Sequence, residues 1–204
     1  MFMGGEMNIK RSASRRNKKE LILEKAIEVF AHKGSQQTTI ADIAHAAKIA
    51  QGTVYVYFDS KEALLNECMQ EIIGPELQAI IDATKDIPDT MDRLFEFFVQ
   101  HIQLVKEKPF IARFLSMEAR QNEEFYSQYP DFNPLKRYVA YVVQTAEQAI
   151  CEKRIRPIET SAFAILIVGA MDFAMSMWLM QKDELDISAI AVSIRNILKF
   201  GINE

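Results

Sequence analysis

The stretch TTIADIAHAAKIAQGTVYVYFDSKEALL, Thr38 to Leu65, decides the fold. It reads as two short helices joined by a tight turn and followed at once by the start of a third. Thr39 and Asp42 stand at capping-box spacing, where a hydroxyl and a carboxylate satisfy free N–H groups at a helix start. Ile40, Ile43, Ala44 and Ala47 then fall on one helical face. So short a run is not stable alone. Its apolar face must lie against neighbours, as the first helix of a helix-turn-helix does. The second helix is predicted to start near Gln51, with Gln51, Gly52, Thr53 and Tyr55 at its exposed N-terminal end. In such a motif that end enters the DNA major groove. Gly52 would bring backbone close to DNA, and Gln51 and Thr53 can bond base edges. Tyr55, Tyr57 and Lys61 suit phosphate contacts, which position a protein without reading sequence. Asp59-Ser60-Lys61-Glu62 reads as a helix stop followed by a new N-cap.

These residues resemble those of the TetR/AcrR family of bacterial transcriptional regulators. The resemblance is carried by Thr38-Thr39, Asp42-Ile43-Ala44, Gly52-Thr53-Val54-Tyr55, Tyr57-Phe58 and Ser60-Lys61-Glu62, with Leu64 or Leu65, in order and at family spacing. One position departs: Lys48 stands where the family usually has the turn glycine. It is expected either to hold a left-handed conformation at some cost or to offer an extra phosphate contact. Thr39, Lys48, Gln51, Gly52, Thr53, Tyr55, Tyr57 and Lys61 are therefore the candidate DNA-contacting residues.

A composition of 49% hydrophobic and 25% charged residues over 204 positions is ordinary for a soluble globular protein. The net charge of −4 argues at first against nucleic acid, but its distribution does not. Residues 1 to 62 hold ten of the 24 Lys+Arg and seven of the 28 Asp+Glu; the remainder holds fourteen basic and twenty-one acidic residues. A basic head on an acidic body suits DNA binding by the head alone. The two cysteines, Cys68 and Cys151, have no metal-site spacing and suit a reducing cytoplasm. No secretory signal is seen in Met1 to Met7.

Along the chain the expectation is all-α, about nine helices, with no strand pattern and no repeat. Residues 1–16 read as a basic disordered tail, 17–63 as the helix-turn-helix domain and 64–204 as an effector-binding and dimerisation domain. Asn17 to Lys33 is the first helix, with Leu23, Ala26, Ile27 and Phe30 in step and Gly34 as its stop. Ser60 to about Ile81 should be a helix kinked or broken at Gly74-Pro75. Further helices are expected over Pro88–Lys106, Pro109–Gln121, Pro134 to about Arg154, Thr160–Gln181 and Ile187–Ile202.

The run Ala162 to Met180 could be mistaken for a membrane span. Its continuous apolar part is only ten residues before Asp172, against the roughly 20 that a span needs, and no membrane association is expected. A helix buried on two sides fits better, one side on its own core and the other on a second subunit. The family resemblance implies the same, because its members are homodimers joined by their last two helices. Ala170, Ala174, Trp178, Ile190 and Ile194 are the candidate interface residues. A two-fold dimer also fits a helix-turn-helix reading two half-sites of a pseudo-palindromic double-stranded operator.

No Gly-rich phosphate loop, metal triad or nucleophile–base arrangement is present in the sequence, so neither enzymatic activity nor a metal or cofactor is expected. The body is instead rich in aromatic residues and methionines, which suit a pocket for an apolar ligand. The stretches PFIARFLSMEARQ (109–121) and NPLKRYVAY (133–141) resemble the body of TetR-family repressors of fatty-acid degradation, although Ala119 stands where their motif has leucine. That resemblance implies a long-chain acyl-CoA effector. The candidate ligand residues are Phe95, Phe98, His101, Ile102, Phe114, Met117, Arg120, Tyr138, Tyr141 and Phe173, on helices spanning 88–106, 108–121, 134–154 and 160–181. The alternatives are an efflux-type repressor answering bulky aromatic or cationic compounds, an apolar-ligand carrier without DNA specificity, and an architectural DNA binder.

Overall fold

The computed structural model describes residues 3–117, 127, 134–181 and 185–200, with side chains for 15–115, 127, 136–181, 185–198 and 200. All regular structure among them is helical. The elements are α1 (Met3–Lys33), α2 (Ile40–Ala46), α3 (Gln51–Tyr55), α4 (Lys61–Cys68), a π-helical segment (Met69–Ile73), α5 (Gly74–Thr84), α6 (Thr90–Glu107), α7 (Pro109–Met117), α8 (Pro134–Cys151), α9 (Thr160–Met180) and α10 (Ile187–Phe200). Taken once, the unbroken helical run from Lys61 to Thr84 brings the described helices to the nine expected. The chain divides into two compact units, Met1–Ile72 and Ile73–Glu204.

In the first unit, α1 carries Ile22, Leu23, Ala26, Ile27, Phe30 and Ala31 on a wholly apolar inner face, and α2 and α4 pack against it. Gly34 ends the helix at φ 78°, with its N–H on the Phe30 carbonyl at 2.8 Å. That left-handed turn costs glycine no side-chain clash. The start of α1 differs from expectation. Helix reaches back to Met3, where a disordered tail over 1–16 was expected. Residues 6–16 contain no proline and several strong helix formers, so nothing local stops propagation from the anchored part.

At Gly74-Pro75, where a kink or break was expected, the helix does not end; it widens into a π segment immediately before. Proline lacks an N–H and crowds the carbonyl four residues back. An i→i+5 segment relieves that clash while keeping the chain helical.

In the second unit, α6 packs against α5, α7, α8 and α10, and α9 packs against α8, α7, α10 and α6. Asp89 caps α6, its Oδ1 accepting from the Met91 and Asp92 N–H groups. Glu159 caps α9 in the same way, through Ser161 and Ala162. The core centres on Phe97 and Phe114, both fully buried. The Phe97 ring lies 4.4 Å from that of Tyr138 and 5.0 Å from that of Tyr141, within the range of favourable tilted aromatic pairs. Thr84, fully buried, is bonded to the Tyr141 hydroxyl at 2.8 Å and returns its own hydroxyl to α5. Phe97→Ala is therefore expected to lower unfolding free energy by about 3–5 kcal/mol, measured by denaturant melts against wild type. A loss below about 1 kcal/mol would show that this ring cluster is not the centre of the body.

Candidate functional site

The N-terminal unit builds its exposed motif from a chain of local bonds. Thr39 is the N-cap of α2, with extended backbone at φ −108° and ψ 158°. Its hydroxyl accepts from the Asp42 N–H at 3.2 Å, and its own N–H donates to Asp42 Oδ2 at 2.9 Å, completing the capping box. Lys33, at the end of α1, donates to Asp42 Oδ1 at 2.6 Å. That ammonium, together with the Thr39 N–H and hydroxyl, holds the Asp42 carboxyl well below the usual carboxylate range. Thr39 is thus engaged inside the motif, and a DNA contact from it would have to come in addition.

Lys48 forms the turn. Its φ of 55° is left-handed, and the Ile49 N–H reaches back to the Ala44 carbonyl at 3.0 Å. Lysine therefore adopts the geometry that glycine takes freely, and its side chain stands exposed. Helix α3 follows. Val54 is fully buried, while Gln51, Gly52 and Tyr55 are exposed and Thr53 is half-buried. Gly52 is informative. A Cβ built on it would meet nothing within 4 Å. Packing within the protein does not require glycine there, although glycine costs a helix roughly 1 kcal/mol relative to alanine.

After α3, Phe58 is buried and Ser60 caps α4, its hydroxyl accepting from the Ala63 N–H at 3.0 Å. Lys61 donates to the Ser35 carbonyl at 2.7 Å, so its ammonium already holds the loop before α2. Tyr57 is half-buried, with the Arg15 guanidinium 5.8 Å from its ring centre. Arg15 was not among the candidate residues; a basic side chain on α1 gives no sequence signal that it lies against a tyrosine forty-two positions on.

In the body the candidate ligand residues do not converge on one pocket. Phe95 and Phe98 line a cavity of about 510 Å³ between α6, α9, α10 and the turn after α8. His101 and Tyr138 border a separate void of about 20 Å³, with Leu77, Leu115, Met171, Asp172 and Met175. His101 Nδ1 is hydrogen-bonded to the Tyr138 hydroxyl and Nε2 faces Met175 Sδ. Burial pushes the Tyr138 phenol up from its ordinary value. Ile102, Phe114 and Tyr141 line neither space; Phe114 is fully enclosed in the core, and Tyr141 is held by Thr84. Phe173 is 68% exposed, on the outer side of α9. It was placed inward because an apolar helix has no polar face from which to tell inside from outside. The Met117 side chain and Arg120, with the rest of 118–121, lie outside the described residues.

The candidate interface residues are likewise divided. Ala174 is buried within the protomer, and Ile194 lines the larger cavity. Ala170, Trp178 and Ile190 are half-buried. The uncovered face of α9 is instead Ile165, Leu166, Gly169, Phe173 and Met180. A Cβ at Gly169 would also meet nothing within 4 Å. By length and composition α9 could cross a membrane, but Ala164, Ile167, Met171, Ala174 and Met175 form a buried stripe against the body. Among the described residues there is no cluster of metal-ligating side chains.

A capped helix-turn-helix with an exposed second helix, followed by a helical body, defines a helix-turn-helix DNA-binding regulator. Sequence comparison makes this specific. The pattern of bacterial regulatory proteins of the tetR family matches residues 22–68, and that of the YsiA-like protein C-terminal region matches residues 69–201. The chain belongs to the tetR family of bacterial transcriptional regulators, in the group with a YsiA-like C-terminal region. It is 26% identical over 184 residues to the fatty acid metabolism regulator protein of Bacillus subtilis, covering 89% of this chain and 94% of that one. It is also 26% identical over 193 residues to the probable acrEF/envCD operon repressor of Escherichia coli K12, covering 87% and 84%. The crystal structure of FadR from Bacillus subtilis in complex with stearoyl-CoA superposes with a TM-score of 0.78 at 25% identity, covering 90% of this chain and 99% of that one. These relatives are regulators of transcription, not enzymes.

Two outcomes test the geometry of the head. Gly52→Ala should raise the melting temperature slightly, by the equivalent of about 0.5–1 kcal/mol, while weakening DNA binding in a gel-shift titration. Unchanged DNA affinity would mean that nothing approaches this backbone. The Asp42 carboxyl has a folded pKa below its ordinary 3.8. Its contribution is therefore complete above pH 4 and fades as pH falls through the lowered folded value. Asp42→Asn should flatten the stability-against-pH curve below pH 4, read by circular dichroism; an unchanged acid limb would remove Asp42 from the head's stability.

Proposed function

We propose that this protein is a homodimeric repressor that binds a pseudo-palindromic operator through α3 and is released by a long-chain acyl-CoA or fatty acid. The observation that carries the DNA reading is Gly52, left without a packing role on an exposed helix. Gln51 and Thr53 flank it and are assigned base contacts; Tyr55, Tyr57 and Lys48 are assigned backbone contacts. Lys61 keeps its phosphate role only if its bond to Ser35 is exchanged or shared. The effector reading is supported by the likeness to a regulator solved with stearoyl-CoA. The efflux-type alternative rests on the equal identity to the acrEF/envCD repressor. A cytoplasmic location belongs to the same reading; a target on DNA and two free cysteines, one buried and one exposed, support it.

The dimer is carried by α9 and α10. Ile165, Leu166, Phe173 and Met180, with Val192, Ile197 and Phe200, are all at least half exposed. An apolar surface of that kind is a contact site, and Gly169 at its middle lets a second backbone approach closely. Phe173→Arg should convert a dimer at micromolar concentration into a folded monomer, measured by sedimentation; a dimer that persists would move the interface elsewhere.

For release, an effector shifts the equilibrium only by its difference in affinity between DNA-competent and released forms. The chain stays helical from Lys61 to Thr84, and the route proposed for the signal is along that run. A coupling of roughly 1–3 kcal/mol is typical, and it must be reciprocal. The experiment measures the affinity for palmitoyl-CoA with and without operator duplex. DNA should weaken acyl-CoA binding by the factor by which acyl-CoA weakens DNA binding. Equal affinities in the two states would sink the mechanism, and release by bulky cations but not acyl chains would favour the efflux-type reading.

A further inference from the structure

We propose that the cavity between α6, α9 and α10 is the binding site for a single-chain amphiphile with an anionic head, which enters beside the turn that follows α8. The inference rests on the effector reading above and adds where the ligand sits and which end is recognised by charge.

Space is the first argument. The cavity holds about 510 Å³, inside the roughly 300–1,000 Å³ of small-molecule sites. The void beside His101 and Tyr138 holds about 20 Å³, enough for about one water. Of these two spaces, the first takes a ligand without rearrangement of the core. Its floor is apolar: Leu94, Phe98, Ile167, Ala191, Ile194 and Leu198. A hydrocarbon chain laid on it gains roughly 0.8 kcal/mol for each buried CH₂.

Charge at the mouth is the second argument. The rim carries Asp89, Asp92, Lys153, Arg154 and Arg195. Asp89 is fully used: Oδ1 caps α6, and Oδ2 is paired with Arg154. Asp92 lies 3.5 Å from Arg195, longer than the 2.7–2.9 Å of a strong charged bond, and is itself well exposed. Arg195 rests on the face of Phe95, its guanidinium 4.2 Å from the ring centre. Lys153 is set at the rim by a left-handed turn, φ 57°, closed by the Arg154 N–H on the Ala149 carbonyl at 2.8 Å. Its ammonium forms no ion pair among the described residues. Three cations stand against two carboxylates, so the charge left over at the mouth is positive: Lys153 has no carboxylate partner among the described residues, and Arg195 meets Asp92 only at 3.5 Å. A carboxylate or phosphate head is complementary to it; a cationic compound would meet carboxylates already paired.

The test uses the full chain and two probes, palmitate and palmitoyl-CoA, both below their micelle concentrations, titrated by calorimetry. Ala191→Trp fills the floor; the double variant Lys153→Gln, Arg195→Gln neutralises the mouth at exposed or half-exposed positions, and so keeps the test alive should the tryptophan disturb folding. The mouth variant should bind palmitoyl-CoA at least about tenfold more weakly, the loss of one or two charged bonds, and with a shallower salt dependence. The filled variant should bind neither probe measurably. An equal loss for palmitate would identify the carboxylate as sufficient, and a loss confined to palmitoyl-CoA would identify phosphate as the group held; either pattern supports the site. Wild-type affinity in both variants, with acyl-CoA still releasing DNA, would overturn this site while leaving the effector reading standing. Failure of the wild-type protein to bind either probe would overturn both.

Discussion

A helix of five residues has no stability of its own in water, and α3, Gln51–Tyr55, has only five. Its N-cap, Ala50, supplies no side-chain bond. What fixes it is burial: Val54, like Ile43 of α2 and Phe58 of the following turn, is within a few per cent of complete burial, and α3 packs on α2. Helix α2 packs in turn on α1. The capping box at Thr39, the Lys33–Asp42 pair and the bond from Lys61 to the Ser35 carbonyl clamp the neighbouring segments at the surface. The head is therefore a frame built to hold one turn and a half of helix with its polar side outward. Its expense is a lysine held left-handed at position 48 and a glycine left inside a helix at position 52.

How much could be read from sequence differed between the two units for a physical reason. In the head, function is coded locally. Caps, turns and the alternation of buried and exposed residues are set by neighbours within four positions, and the start of α2, the left-handed turn at Lys48 and the Ser60 cap all lie where the pattern places them. In the body, helices were recognisable by period but not by orientation. A chain such as α9 is apolar on every side, so no polar face says which side turns inward. Hence Phe173, read as a pocket residue, is exposed, and its neighbour Ala174, read as an interface residue, is buried within the protomer.

The gathering of cavity residues shows the same limit. Phe95 and Phe98 were found because aromatic residues on an inner helix face attract notice. Lys153 and Arg195 were not, because two basic residues forty-two positions apart look like ordinary solvated charges. Packing of α10 on α6 brings Arg195 over the Phe95 ring, and the turn after α8 brings Lys153 to the same rim. Conversely, His101 and Tyr138, both candidate ligand residues, are hydrogen-bonded to each other inside the core. The π-helical segment at Met69–Ile73 was equally hidden: proline at 75 announces that something must yield, while the sequence does not say whether the helix will bend, stop or widen.

The uncovered face of α9 bears on how the chain is made. Domains form in order as a chain leaves the ribosome, N-terminal first. By the time Ile165, Leu166 and Phe173 emerge, the head and helices α5 to α8 have already been released, and the inner stripe of α9 has a surface waiting for it. The sticky side is thus presented only after the surface that takes up the inner stripe exists. Were the same helix encoded ahead of those elements, it would wait exposed on all sides, where its length and composition resemble those of a membrane span.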